Sequence, residues 1–109
     1  MSVLEIRIYT IRQGMTARFA RVMAQVSLPM LRDAGIDVVA FRPCLDGQQT
    51  FTLMRAYRDR AHHGESQGRF YVSDAWQRGP RQEVLDCIEV ISSVVIDADA
   101  PLLAGLRRA

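Results

Sequence analysis

Stretches of alternating and of helical hydrophobic spacing follow one another in a set order along the 109 residues. Alternation with a period of two is typical of a strand, whereas apolar residues at every third or fourth position indicate an amphipathic helix. Strand-like stretches occupy residues 3–11, 37–45, 50–57 and 89–96, and helical stretches occupy 15–34 and most of 59–88. The order β-α-β-β-α-β predicts an α+β, ferredoxin-like domain, a four-stranded antiparallel sheet with helices on one face.

Glycine, proline and polar residues place the ends of these elements. Pro29 lies inside the first helical stretch and predicts a kink near Ser27, because proline lacks a backbone donor. Gly35 is a natural end for that helix. The segment Asp46-Gly47-Gln48-Gln49 predicts a β-hairpin turn. Ser73 is expected to cap a further helical turn that holds Trp76, a core residue by its size.

The composition is that of one globular domain spanning residues 1–109, with 49% hydrophobic and 24% charged residues. No apolar run approaches the roughly 20 residues that cross a bilayer, and no signal peptide is visible, so we expect a cytoplasmic protein without a membrane partner. Cys44 and Cys87 lack the spacing of metal ligands. They are expected to be free thiols in a reducing compartment.

All fourteen basic residues are arginines, and the formal net charge is only +2. The arginines are scattered and do not form a stripe with aromatic residues, so no nucleic-acid partner is expected. Without lysine the chain cannot form a Schiff base through a side-chain amine. No phosphate-binding glycine loop is present either, and neither a metal nor a cofactor is predicted.

The alternation in the first strand separates Leu4, Ile6 and Ile8 from Glu5, Arg7 and Tyr9. We expect the apolar set to face the helices, since an unpaired guanidinium buried there would cost several kcal/mol. The same reasoning assigns further strand residues to the uncovered face. They are Val38, Ala40 and Arg42 in the second strand, and Arg55 and Tyr57 in the third.

The uncovered face would then also carry a large set of apolar side chains. They are Val3, Val38, Phe51, Leu53, Ile91 and Val95, with Ser93 between the last two. A patch of this size is unusual on a monomer. The sequence therefore predicts a homodimer formed through the open sheet face.

The polar residues of that face form the candidate ligand-binding site. It comprises Glu5, Arg7, Tyr9, Arg42, Arg55 and Tyr57. Two interpretations stay open: a salt-bridge network that fixes the strands, or a cleft in which arginines hold a carboxylate, enolate or phosphate. Tyr9 and His62 are the candidates for proton transfer. His62 and His63 point about 100° apart on a helix, so they cannot readily share a metal ion.

Several short motifs resemble those of the NIPSNAP family. They are Glu5-Ile-Arg7-Ile-Tyr9-Thr10 followed by Gly14, Leu28-Pro29, Ala56-Tyr57 and Ser73-Asp74-Ala75-Trp76. The resemblance spans roughly residues 3 to 101, although residues 60–65 depart from the usual acidic, alanine-rich helix. It implies the dimeric α+β barrel fold and a homodimer, and it assigns no catalytic residue. Relatives in the wider superfamily include cofactor-free monooxygenases, isomerases and haem enzymes.

Three functions follow as hypotheses. The first is a homodimer that binds a small anionic or enolisable molecule, with cofactor-independent monooxygenase-like or isomerase-like activity as an extension. The second is a non-catalytic protein-interaction module. The third is haem binding. For the C-terminal segment 102–106, packing on a partner subunit and a loose conformation are both left open.

Overall fold

A computed structural model describes residues 2–47 and 49–108. Four antiparallel strands form one sheet in the order β2-β3-β1-β4, the predicted ferredoxin-like topology. The strands are β1 (Val3–Ile11), β2 (Asp37–Pro43), β3 (Thr50–Tyr57) and β4 (Ile88–Asp97). All four strands predicted from the alternation are therefore present, with bounds that differ by two residues at most.

Six α-helices accompany the sheet in the described part of the chain. They are α1 (Thr16–Val22), α2 (Leu28–Asp33), α3 (Arg60–Val72), α4 (Asp74–Arg78), α5 (Arg81–Cys87) and α6 (Ala100–Arg108). Helices α1 to α5 share a core with one face of the sheet, whereas α6 packs on the opposite face. None of these helices has the length and apolarity that crossing a membrane would require.

The first helical stretch is interrupted where the sequence predicted a kink. Residues Met23–Ser27 form a π-helical segment between α1 and α2, and Pro29 occupies the first turn of α2. Proline cannot donate to a carbonyl in the preceding turn and would clash with it, so a wider turn ahead of Pro29 relieves both problems. Gly35 ends the stretch with a φ of +81°, a left-handed conformation that suits glycine.

Side-chain caps fix the starts of α3 and α4. Asp59 accepts a hydrogen bond from the backbone amide of His62 at 2.7 Å. Ser73 accepts one from the amide of Trp76 at 3.3 Å, which confirms the predicted cap. Trp76 is only 8% exposed and belongs to the main core, as expected. The predicted hairpin turn includes Gln48, which lies outside the described residues.

The two faces of the sheet are the reverse of the prediction. Val3, Tyr9 and Ile11 of β1 pack with Phe19 in the core beneath the helices. Leu4 instead belongs to a second, smaller core on the opposite face. The prediction was wrong because it treated every buried guanidinium as unpaired. Here a carboxylate is buried with the guanidinium groups, so the charged residues can lie between the sheet and the helices.

A bulge in β2 overturns a second expectation. The register against β3 shifts between Val38 and Ala40, so that Val38 lies opposite Arg55 and Arg42 lies opposite Thr52. Val38 therefore shares the helix-covered face with Arg55, and Arg42 is exposed on the other face. Simple alternation placed all three β2 residues with Arg55, and for Ala40 and Arg42 this was wrong. A bulge inserts one extra residue and reverses the alternation beyond it.

The second face is partly covered by the chain itself. Leu103 and Leu106 of α6 pack on a small core that includes Leu4, Val39 and Ala56. Arg107 also donates to the carboxylate of Asp37 in β2 at 2.9 and 2.6 Å. The C-terminal segment thus packs on its own subunit, which was neither of the two arrangements left open.

The β4 side of the same face carries exposed apolar residues. Val90, Val94 and Ile96 are 54%, 58% and 42% exposed, and they lie opposite Thr10, Ile6 and Leu4 of β1. Together with the half-buried Ile6 and Ile8, they form what we call the open face. The open face is apolar, but its residues are not those predicted from the sequence.

Candidate functional site

A network of polar side chains is buried between the sheet and α3. We call it the polar cluster, and it comprises Glu5, Arg7, Arg55, Tyr57, His63, Gln67 and Tyr71. The strands supply the charged residues, and α3 supplies His63, Gln67 and Tyr71. A spacing of four residues puts these three on one side of the helix, facing the sheet.

Glu5 is the acceptor at the centre of the cluster and is only 2% exposed. Its Oε1 accepts a hydrogen bond from Arg55 Nε at 2.8 Å. Its Oε2 accepts from Gln67 Nε2 at 2.6 Å and from Arg7 Nη2 at 3.3 Å. His63 Nε2 lies 3.2 Å from the same oxygen. Both carboxylate oxygens are therefore satisfied within the fold.

The environment of Glu5 favours its charged form. Burial by itself would raise the pKa of the carboxyl group. The positive charges of Arg55 and Arg7, with hydrogen bonds from Gln67 and Arg55, outweigh burial and lower the pKa to about 2. Glu5 is therefore an anion throughout the neutral range.

The two arginines of the cluster differ in how completely they are paired. Arg55 is fully buried, and besides its bonds to Glu5 it donates from Nη1 to the Tyr71 hydroxyl at 2.9 Å. Arg7 is 16% exposed and donates from Nη1 to Tyr71 at 3.2 Å. Its Nε is buried and has no hydrogen-bond partner among the described residues. Arg7 is thus the incompletely satisfied member.

A cavity of about 250 Å³ lies beside Arg7, between the sheet and helices α4 and α5. Its lining combines arginine and tyrosine with a mainly apolar wall. The lining residues are Arg7, Tyr9, Tyr71, Trp76, Gln77, Arg81, Val84, Leu85, Ile88 and Ile91. Burial raises the pKa of Tyr9 to about 12, although Arg7 opposes the rise. Tyr9 is therefore a hydrogen-bond donor near neutral pH rather than a base.

The structure brings together most of the residues predicted for the site. Glu5, Arg7 and Arg55 are in direct contact, and Tyr9 lines the cavity beside Arg7. Tyr57 joins from the far side, where its hydroxyl accepts from Gln67 Nε2 at 3.3 Å. Arg42 is not part of the group, because the β2 bulge turns it to the opposite face.

The two adjacent histidines have different surroundings. His62 Nδ1 accepts from the backbone amide of Arg58 at 3.0 Å, and His62 lines a separate depression near Asp37 and Leu103. The structure therefore separates His62, a predicted candidate for proton transfer, from the cavity. His63 contacts Glu5 instead, but it does not line the cavity either. In the described part of the chain, no group of His, Cys, Asp or Glu is arranged to hold a metal ion.

Sequence reasoning missed Gln67, Tyr71 and Arg81. A signal for two of them exists, since His63, Gln67 and Tyr71 follow at four-residue intervals and indicate one polar helix face. Arg81 has no such signal, because only the fold brings α5 to the cavity. A larger groove of about 550 Å³ runs along α2 and α3 on the outside, but none of the polar cluster lines it.

Comparisons with known proteins identify the fold. No family model matches the sequence, and no curated protein matches it. A NIPSNAP family protein from Agrobacterium tumefaciens superposes with a TM-score of 0.83 at 16% identity, covering 92% of this chain and 95% of the other. An uncharacterised NIPSNAP-like domain protein from Burkholderia xenovorans gives 0.81 at 14% identity, covering 91% and 86%.

A more distant similarity links the chain to a candidate antibiotic biosynthesis monooxygenase from Bordetella bronchiseptica. Its TM-score is 0.69 at 22% identity, and the match covers 90% of this chain and 97% of the other. At these identities the likeness concerns the fold and leaves the activity open. The resemblance predicted from the sequence motifs is thus confirmed: this chain has the ferredoxin-like α+β fold of the NIPSNAP proteins.

Proposed function

We propose that the protein binds a small anionic or enolisable molecule in the cavity beside Arg7. The observation that carries this proposal is the charge balance of the polar cluster. Arg7 and Arg55 share Glu5 as the only carboxylate in their salt bridges among the described residues. A formal charge of +1 is therefore left at the cavity wall.

An excess buried charge is costly unless a counterion or hydrogen bonds offset it. Each guanidinium nitrogen of Arg55 donates to Glu5 or Tyr71, whereas Arg7 keeps an unsatisfied Nε. Arg81 adds a second guanidinium to the cavity lining. An anion beside Arg7 would gain charge-assisted hydrogen bonds and balance the cluster.

The apolar part of the lining limits the rest of the ligand. Trp76, Val84 and Ile91 offer a surface for a flat or aliphatic body. The volume of about 250 Å³ is below the usual range for drug-sized ligands. A molecule of roughly the size of benzoate fits both the apolar wall and the volume.

Catalysis without a cofactor is an extension of this binding function. A guanidinium and a phenol can stabilise an enolate by charge and hydrogen bonding. The described lining contains no carboxylate or histidine that could remove a proton, and the pKa of Tyr9 is raised. The catalytic version therefore suits a substrate acidic enough to bind as its enolate or phenolate, as in cofactor-free oxygenation.

We further propose that two copies pair through the open face. Exposed Val90, Val94 and Ile96 support this, because such a patch is unfavourable in water.

The two free cysteines, Cys44 and Cys87, fit a reducing cytoplasmic setting, which stays a prediction.

A non-catalytic interaction module is the competing function. A cleft filled by side chains would favour it, and the cavity beside Arg7 weighs against it. Binding of a protein partner to the open face, with no small anion bound, would support this alternative.

The test uses benzoate as the probe and calorimetry or NMR line shifts as the measurement. Arg7→Met keeps the aliphatic stem and removes the charge. A charge-assisted hydrogen bond contributes roughly 1.5–3 kcal/mol, so the affinity should fall about 10-fold to 100-fold. Arg32→Met is the matched control. Arg32 is exposed on α2, and its replacement removes the same positive charge away from the cavity. Equal affinity in Arg7→Met and the wild type would contradict the proposal.

A further inference from the structure

A small inner compartment of about 20 Å³ adjoins the cavity. The two spaces share four lining residues, namely Tyr9, Tyr71, Trp76 and Val84. The inner compartment reaches further into the core, to Ser27 at the end of the π-helical segment. It therefore neighbours the space beside Arg7, with the same four side chains between or beside the two.

Ser27 is an unusual residue for this position. It is only 2% exposed, and its hydroxyl has no hydrogen-bond partner among the described residues. A serine in a regular helix can bond to the carbonyl of the preceding turn, but Ser27 lies in the widened π-helical segment. A buried hydroxyl without a partner costs about 1–3 kcal/mol, so alanine would serve stability better here.

We propose that the inner compartment is a subsite for one uncharged oxygen of the ligand, which bonds to the Ser27 hydroxyl. The inference rests on the proposed function, because it requires an anion in the cavity beside Arg7. A volume of about 20 Å³ holds one water-sized group and excludes a ring or a chain. A hydroxyl can donate to a carbonyl or accept from another hydroxyl, so either oxygen type fits.

This subsite narrows the class of ligand. The molecule has an anionic group at Arg7, an apolar body against Trp76 and Val84, and a hydroxyl or keto oxygen at Ser27. Hydroxylated aromatic acids and keto acids with an apolar chain have this pattern. A site that hydrogen-bonds such an oxygen discriminates against the analogue without it, because a buried polar group is then left unpaired.

The experiment compares benzoate with its meta-hydroxy and para-hydroxy derivatives on the wild type and Ser27→Ala. Two ring positions are used because the orientation of the bound ring determines which hydroxyl, meta or para, reaches the inner compartment. One hydroxylated probe should bind the wild type about 3-fold to 10-fold more tightly than benzoate, the range of a single net hydrogen bond. Ser27→Ala should remove that preference and leave benzoate affinity within about 2-fold, because benzoate carries no oxygen for Ser27 to bind and a shift of that size is the ordinary scatter of a substitution outside the contact.

The outcomes separate the two proposals. If benzoate binds in an Arg7-dependent way but Ser27→Ala does not change the preference among probes, the subsite is disproved and the binding function stands. If no benzoate probe binds, or binding ignores Arg7, both are disproved. A wild-type preference for one hydroxylated probe over benzoate that is lost in Ser27→Ala is the result that supports the subsite, and a wild type without such a preference disproves it.

The thermal stability of Ser27→Ala is a second measurement that tests the subsite. If the Ser27 hydroxyl had a purely structural role, its removal would lower the melting temperature. With no ligand, Ser27→Ala should melt at the wild-type temperature or above it, since it removes an unsatisfied buried hydroxyl. A lowered melting temperature, together with unchanged probe preference, would show that the Ser27 hydroxyl supports the fold and not a ligand.

Discussion

Glu5 and Arg55 occupy directly opposite positions on neighbouring strands and form an ion pair in the interior. Their side chains are 2% and 0% exposed. Such a pair stabilises little compared with well-packed apolar residues, but the loss of one partner leaves an uncompensated buried charge. The polar cluster is therefore sensitive to single substitutions at its centre.

Glu5→Gln should destabilise the protein by about 3–5 kcal/mol, because both guanidinium groups would lose their counterion. Urea unfolding followed by circular dichroism measures the change. Glu83→Gln is the matched control, since Glu83 and its partner Arg18 are both 45% exposed. That control should cost less than about 1 kcal/mol. A similar, small effect of both substitutions would mean that Glu5 does not hold the cluster together.

The free energy of unfolding should depend on pH through Glu5. The pKa of its carboxyl group is about 2 in the folded chain, against 4.5 in the absence of the fold. Because the folded value is lower, the stabilisation is complete above about pH 5 and is lost as the pH falls towards 2. The shift corresponds to about 3 kcal/mol at one pKa unit per 1.36 kcal/mol. Glu5→Gln should flatten this part of the profile, and an unchanged acid slope would contradict the assignment.

The two arginines should respond differently to replacement by methionine. Arg55→Met removes the two-point contact with Glu5 and should cost about 3–5 kcal/mol. Arg7→Met leaves the Glu5–Arg55 pair intact and removes the surplus charge, so its cost should be below about 1 kcal/mol. Thermal melts of both variants without ligand provide the comparison. Equal losses would show that the charge surplus is compensated in another way.

In the proposed homodimer, Val94→Glu should shift the equilibrium to the monomer. It would place a carboxylate in the apolar contact, where burial without a partner is unfavourable. Sedimentation velocity at micromolar concentration measures the change. Val72→Glu is the control, because Val72 is 74% exposed on the helical side and receives the same charge. A wild-type protein that sediments as a monomer would refute the dimer directly.

Much of the fold followed from local patterns that tertiary contacts did not override. The bounds of β1 and β3 agree with the alternation residue for residue, and Pro29 predicted the break that the π-helical segment contains. Element order then left few possible topologies. The sequence carried this information because strand and helix periodicities are properties of single segments.

The assignment of faces depended on partners that lie far apart in the sequence. Arg55 alone looks like a surface residue, and only its contact with Glu5, 50 residues away, makes its burial acceptable. The grouping of Glu5, Arg7 and Tyr9 was correct since alternation determines it. The predicted face of the sheet for this group was wrong, because the face depends on a cross-strand ion pair.

Arg42 and Arg81 show two further limits of the pattern. A bulge leaves no clear sequence mark, so the reversal that moves Arg42 away was invisible. Arg81 reaches the cavity through the packing of α5 against the sheet, which no local pattern encodes. Candidate site residues could thus be predicted along β1 and β3, but not where helices complete the wall.

The position of α6 has a geometric consequence for the proposed dimer. A helix is about 10–12 Å across, and stacked sheets lie about 10 Å apart. The sheet of a second subunit resting on Val90 and Val94 would therefore sit at the same height as α6, side by side with it. Leu103 and Leu106 anchor that helix over the β2 half. The helix would then act as a lateral stop, setting how far one subunit can slide across the other.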